Sequence, residues 1–353
     1  MKNLATTVAG IYFIVLFFVF LTETAAQPRP IPVPDASQEA MVMQKIGLTD
    51  ITISYHRPAV NGRAVWGKLV PYNQVWRAGA NENTTITFSD PVKIDGKIVP
   101  AGSYGLHMIP TENEWTIILN TFSKSWGSFF YREEDDQLRF TVKPVAAEFM
   151  EYLNYNFETS DPNKTQVVLR WDKLKVPFEV EVDIHEIVIN NLKDDLRFIN
   201  GFFWQPHQQA AMYCINNDVH LENAAQWADR AIQLNRNFST LTTKSLLLDK
   251  QGKTKESEDI LKEAYGMATE VEVNNFGYVL LGAAKTDKAI EVFKFNVEKF
   301  PDSWNVYDSL AEAYMNKGEN KLAKEYYQKA LDKVKDENQK TRILNTLNDL
   351  ASN

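Results

Sequence analysis

An antiparallel β-sandwich, jelly-roll or barrel-like, followed by an α-helical solenoid is the fold class this sequence predicts. Three observations carry the prediction. From about residue 40 to 183, apolar and polar residues alternate in short runs separated by turn dipeptides, which is the period of half-buried strands. Beyond about residue 190 the period lengthens to that of amphipathic helices, and small and aromatic residues recur at a spacing of about 34. The 353 residues suffice for two domains, and 44% hydrophobic with 24% charged residues is the composition of a folded chain.

The N-terminus reads as a targeting segment. MKNLATTVAG carries one lysine, IYFIVLFFVFL (11–21) is apolar except for a tyrosine hydroxyl, and TETAAQ supplies small residues. This is the layout of a signal peptide over 1–26, cleaved near Ala26–Gln27, and it predicts a periplasmic or extracellular protein. The apolar run from Leu4 to Leu21 is also long enough for the alternative, an uncleaved N-terminal membrane anchor. QPRPIPVPD (27–35) opens a Pro-rich spacer over 27–39, extended and without a core of its own, or else an edge strand docked on the next domain.

The β domain is expected over 40–183. Ile51, Ile53 and Tyr55 alternate, and Asn61-Gly62 marks a turn. Trp66–Tyr72 reads as a short helix or turn broken by Pro71, and 84–88 as a strand. Val92 and Ile94, Asp95-Gly96, then Ile98 and Val99 spell a tight hairpin. Pro100-Ala101-Gly102 interrupts, Tyr104, Leu106 and Met108 resume the alternation, and Trp115–Leu119 is a hydrophobic strand. Further strands are expected at 138–143, 149–157, 165–171 and 176–183. Many short strands with frequent turns define the sandwich or barrel.

A junction over 184–204 leads to helices over 205–353. In SWNVYDSLAEAYMNKGENKLAKEYYQKAL (303–331), Tyr307, Ala311, Tyr314, Gly318, Ala323, Tyr327 and Ala330 occupy alternating large and small positions. One repeat earlier Phe293 falls beneath Tyr327, Ala289 beneath Ala323 and Gly277 beneath Ala311. Gly252, Ser257, Leu261 and Ala264 continue the register, as do Ala224 and Ala231. This pattern resembles tetratricopeptide repeats, about four units with a terminal helix near 338–350.

Charge and motif content narrow the function. A net charge of −8 argues against nucleic acid, and against a membrane surface once the leader is cleaved. Cys214 is the single cysteine, so no intramolecular disulfide forms, and it reads as a small buried hydrophobe. His56 and His107 lack the spacing of metal ligands, and GxSxG, CxxC, P-loop and GxGxxG motifs are absent. No metal or cofactor is expected, and no catalytic residue is assigned.

VWRAGANENTTITF (75–88) is the densest polar motif. It places a guanidinium, a carboxylate and amides beside Ala78, Gly79 and Ala80, small residues that permit close approach. The surrounding SYHRPAV, WGKLVPYNQVWRAGANENTTITF, PAGSYGL and EWTIILN segments, continuing through WGSFFYREEDDQLRFTV, resemble bacterial domain-of-unknown-function family 2911 over about 40–180. The resemblance implies a secreted β-rich domain, often with a helical C-terminal part, and implies no activity.

For Trp76, Arg77, Asn81 and Glu82 the residues leave three readings open. One is a structural knot held by an Arg–Glu pair, with the β domain a support for the helices. Another is a pocket, joined by His56 and Arg57, for a small or carbohydrate-like ligand. The third is a hydrolase using Glu82 and His56. WGSFFYREEDD (126–136) is either a packed loop or a lid over this site.

The helical array adds a concave face. Asn274, Asn275 and Tyr278 of one unit and Asn305 and Asp308 of the next are placed to hold a peptide or protein partner. The function that follows is binding, by an exported cell-envelope protein.

Overall fold

The computed structural model describes residues 33–352. The expected signal peptide and most of the spacer lie outside the described residues. Among the described residues, ten strands form two antiparallel sheets. The first holds β1 (Gln38–Ile46), β2 (Thr49–Arg57), β3 (Thr85–Phe88), β6 (Gly102–Ile109), β7 (Trp115–Asn120) and β8 (Asp136–Val142), in the order β1-β2-β3-β6-β7-β8. The second holds β4 (Val92–Ile94), β5 (Lys97–Val99), β9 (Val145–Asp161) and β10 (Lys164–Glu181), in the order β5-β4-β10-β9. Inward residues of both sheets share one core, so the domain is a sandwich.

Alternation explains most of these strands. Ile51, Ile53 and Tyr55 are buried while the residues between them are half-exposed. Asp95 and Gly96 both adopt positive φ and close the β4–β5 hairpin. The Trp66–Tyr72 segment is a turn, closed by the Gly67 amide donating to the Val70 carbonyl at 2.9 Å. Trp66, Trp76, Trp115 and Trp171 pack together, with ring centroids 4.8 to 6.4 Å apart in the contacting pairs. Trp115 and Trp171 are essentially inaccessible. Burial of a large apolar side chain contributes about 2–3 kcal/mol, so this cluster is a principal anchor of the sandwich.

Two strand readings needed adjustment. β10 is continuous where the sequence suggests two strands, because register shifts around Asp172, whose φ is +54, absorb the polar Asp172–Lys173 interruption. β1 begins inside the expected spacer. It is an edge strand paired along its length with β2, with Met41 and Met43 facing outward.

The helices are α1 (Ile184–Asp195), α2 (Trp204–Asn217), α3 (Leu221–Leu234), α4 (Phe238–Lys250), α5 (Thr254–Met267), α6 (Glu270–Gly282), α7 (Thr286–Lys299), α8 (Trp304–Asn316), α9 (Asn320–Lys333) and α10 (Glu337–Ser352). Helices α2 to α9 pack as four hairpins, and α10 closes the array. The repeated alanines Ala224, Ala264, Ala289, Ala311, Ala323 and Ala330 are fully buried at the helix contacts. At Gly277 a Cβ would lie 2.4 Å from the Phe293 ring, so only glycine lets α6 approach α7 this closely. Asn237 and Thr269 start α4 and α6 with capping boxes.

Helix α1 spans both units. Ile187 packs in the β core and Ile189 in the helical core. Among the described residues, no helix is long and apolar enough to cross a membrane.

Candidate functional site

The Trp76–Asn83 loop is held chiefly through its backbone. Trp76 and Met108 exchange amide–carbonyl hydrogen bonds, each 2.8 Å. The Ala78 carbonyl accepts from the Tyr155 hydroxyl at 2.9 Å and the Thr84 hydroxyl at 3.1 Å. Ala78 and Asn81 both have positive φ, and Ala78 is fully buried. A Cβ at position 79 would come within 2.5 Å of Thr84 Oγ1. The small residues therefore serve close backbone packing under two left-handed turns.

The same loop binds the WGSFF segment. The Asn83 amide donates to the Ser125 carbonyl at 2.9 Å, the Gly127 amide donates to the Asn81 carbonyl at 3.1 Å, and Glu82 pairs with Trp126. Residues 125–130 thus lie against the WRAGANE motif and present Trp126, Phe129 and Phe130 to solvent. The Trp126 and Phe129 rings are parallel within 3°, with centroids 5.8 Å apart.

The motif's charged side chains diverge. Glu82 is 63% exposed, with Oε2 3.5 Å from His56 Nε2. Arg77 makes no hydrogen bond or ion pair among the described residues, and its Nε is buried without a partner. Its guanidinium carbon sits 5.2 Å from the centre of the Trp126 ring. Burial lowers the Arg77 pKa, and the Glu82 carboxylate partly opposes that effect. Arg57 donates to the Leu153 carbonyl at 3.1 Å and lies over Tyr152, tying β2 to β9. Trp76 is half-buried in the tryptophan cluster, its Nε1 donating to the Gly79 carbonyl at 3.1 Å.

His107 lies beneath the aromatic loop. It is 2% exposed, with Nδ1 3.1 Å from Ser128 Oγ, and its ring packs against Tyr131. Burial lowers its pKa to about 4, against the pull of Asp136, so the ring is neutral near pH 7. Asp136 accepts from Asn120 Nδ2 and from the Tyr131 hydroxyl, fixing the far end of the loop. Among the described residues, no three metal-ligating side chains converge. Sequence reasoning read 126–136 as a packed loop or a lid over this site without naming Trp126, Gly127, Ser128 or Phe129 as site residues, and the aromatic WGSFF run was its visible signal.

On the helices, Asn275 lines a cavity of about 180 Å³ between α2, α4 and α6, together with Gln208, Thr242, Phe276 and Val279. Tyr278, Asn305 and Asp308 face neighbouring helices. Tyr278 donates to Ser309 Oγ at 3.2 Å and Glu312 Oε2 at 2.8 Å, and its hydroxyl pKa is raised to about 12, chiefly by burial. Asn305 approaches Glu270 Oε1 at 3.5 Å, and Asn274 Oδ1 is buried without a partner among the described residues. Asp308, 7% exposed, accepts both contacts from Arg342 Nη2 of α10, each 2.8 Å.

The β domain and the array define the class: a β-sandwich joined to tetratricopeptide-like repeats. Residues 37–180 match the family described as protein of unknown function (DUF2911), and residues 305–332 match the tetratricopeptide repeat. No curated protein matches the chain. Among solved structures, MamA is 19% identical over 44% of this chain and 89% of its own, with a TM-score of 0.28. PilF of Pseudomonas aeruginosa is 19% identical over 46% and 77%, with a TM-score of 0.27. YrrB, described as a TPR protein with an unusual peptide-binding site, is 16% identical over 40% and 74%, with a TM-score of 0.25.

Proposed function

We propose that this is an exported binding protein of the bacterial cell envelope, periplasmic or extracellular. Its helical array holds a peptide or protein partner, and its β domain holds a small, carbohydrate-like ligand. The observation that carries the first part is the groove between α2, α4 and α6. Asn275 offers its amide, and Gln208 and Thr242, whose Nε2 and hydroxyl already donate to Ser239, offer acceptor oxygens beside the apolar Phe276 and Val279. An extended peptide needs both, polar partners for its backbone and apolar seats for alternate side chains. A second cavity of about 440 Å³ shares Val279 and Leu246 with the first and lengthens the groove.

Photo-crosslinking in the producing cell tests this. A photoreactive side chain at Asn275 or Val279 is expected to capture a discrete partner, whereas one at Lys255 of α5, outside the groove, is not. Equal labelling from all three positions contradicts the reading. Export is supported by the three-part leader. It predicts a mature chain beginning at Gln27, read from the intact mass, and retention of residues 1–26 would count against cleavage.

A further inference from the structure

Arg77 is the starting point. A half-buried guanidinium with no hydrogen bond or ion pair among the described residues, and only the Glu82 carboxylate acting on it from a distance, is unfavourable for the fold. The surroundings nevertheless make room for it. Gly127, at φ +69, sits where a Cβ would lie 2.5 Å from Arg77 Nη1 and 3.1 Å from the Phe129 ring. Its place in the loop therefore depends on the guanidinium and the ring together. Next to this cation the parallel Trp126 and Phe129 rings remain 55% and 77% exposed. Exposed aromatic rings at the rim of a polar site mark a contact surface.

Resting on the reading of the β domain as a ligand carrier, we infer that this site binds a carboxylate-bearing sugar, a hexuronate unit of an acidic saccharide. The carboxylate meets the Arg77 guanidinium, which presents a planar fork of N–H donors to such a group. The apolar face of the pyranose ring lies on Trp126 or Phe129. Asn81 and Glu82, at the rim, exchange hydrogen bonds with the sugar hydroxyls, which both donate and accept. A lone inorganic anion would leave the aromatic rings uncovered. A neutral sugar would leave Arg77 unpaired.

The test uses the full chain and tryptophan fluorescence titration with three uronate oligosaccharides, namely oligogalacturonate, oligomannuronate and oligoglucuronate. The methyl ester of whichever binds and a peptide ending in free phenylalanine are the controls. Binding of at least one acidic saccharide is expected, with its methyl ester about tenfold weaker or more. Arg77→Gln is expected to remove the acid-over-ester preference, and Trp126→Ala to weaken acid and ester alike. Unchanged unfolding midpoints show that both variants fold, and Phe129→Ala repeats the stacking test if Trp126→Ala does not. Equal affinity for acid and ester overturns the uronate assignment while leaving a saccharide site in place. Binding of the peptide alone overturns it in favour of a protein ligand. No binding by any of the three uronates overturns the assignment, and a neutral oligosaccharide titrated in the same way then tests the carbohydrate reading of the β domain by itself.

Discussion

The Arg77 guanidinium stacks 5.2 Å from the Trp126 ring while Glu82 of the same loop turns outward to His56. The two opposite charges closest in the motif thus do not tie each other down. Left-handed backbone at Ala78 and Asn81 lies between the two charged residues. What ties the loop is main-chain pairing to Met108 and Ser125 and the Tyr155 hydroxyl.

Gly127 sets the geometry of the aromatic loop. Gly127→Ala adds left-handed strain and a Cβ in contact with Arg77 Nη1. A loss of about 1–2 kcal/mol is expected, together with a changed environment for Trp126. Denaturant unfolding and tryptophan emission check this, and an unchanged spectrum would contradict it.

His107 makes the β domain acid-sensitive. Its folded pKa of about 4 lies below the ordinary 6.5, so the fold favours the neutral ring. The associated stability is complete above pH 6.5 and is lost as the pH falls from there towards 4. The shift corresponds to roughly 3 kcal/mol at 1.36 kcal/mol per unit. His107→Gln is expected to flatten the stability profile between pH 6.5 and 4, leaving the carboxylate-driven slope in place. Asp136 is the carboxylate that opposes the shift. Parallel profiles for the two proteins would contradict the prediction.

Arg342 anchors the terminal helix on α8. The pair is asymmetric, since Arg342 is 45% exposed at its side chain and Asp308 only 10%. Removing Arg342 leaves a buried carboxylate whose pKa burial already raises, whereas removing the Asp308 charge leaves a cation that water can reach. Arg342→Ala is expected to cost about 3 kcal/mol and Asp308→Asn clearly less. Hydrogen exchange in α10 should rise more in the first variant, and the reverse order would contradict this account.

Local chemistry made much of the fold legible. Asp95-Gly96 announced its hairpin, and the buried alanines and Gly277 against Phe293 announced the helical repeats. The two halves of β10 were legible, but their continuity was not, because a bulge at Asp172 carries the strand through a break in its alternation. The polar motif was visible, but the partners of its residues were not. Nothing in Trp76 says that three distant tryptophans enclose it, and nothing in Arg77 says that its neighbour in space is Trp126. On the helices, Asn275 and Asp308 look alike in sequence. Only the arrival of Arg342 from α10 separates a groove residue from a buried ion pair.

The central claim is that Arg77 is held for a ligand and not for the fold. The most direct measurement is the unfolding free energy of Arg77→Met, Glu82→Gln and the double variant. The account predicts changes within about 1 kcal/mol for each single substitution and additivity in the double. A loss of about 3–5 kcal/mol in both singles, with little further loss in the double, would contradict it. That result would make the motif a structural knot.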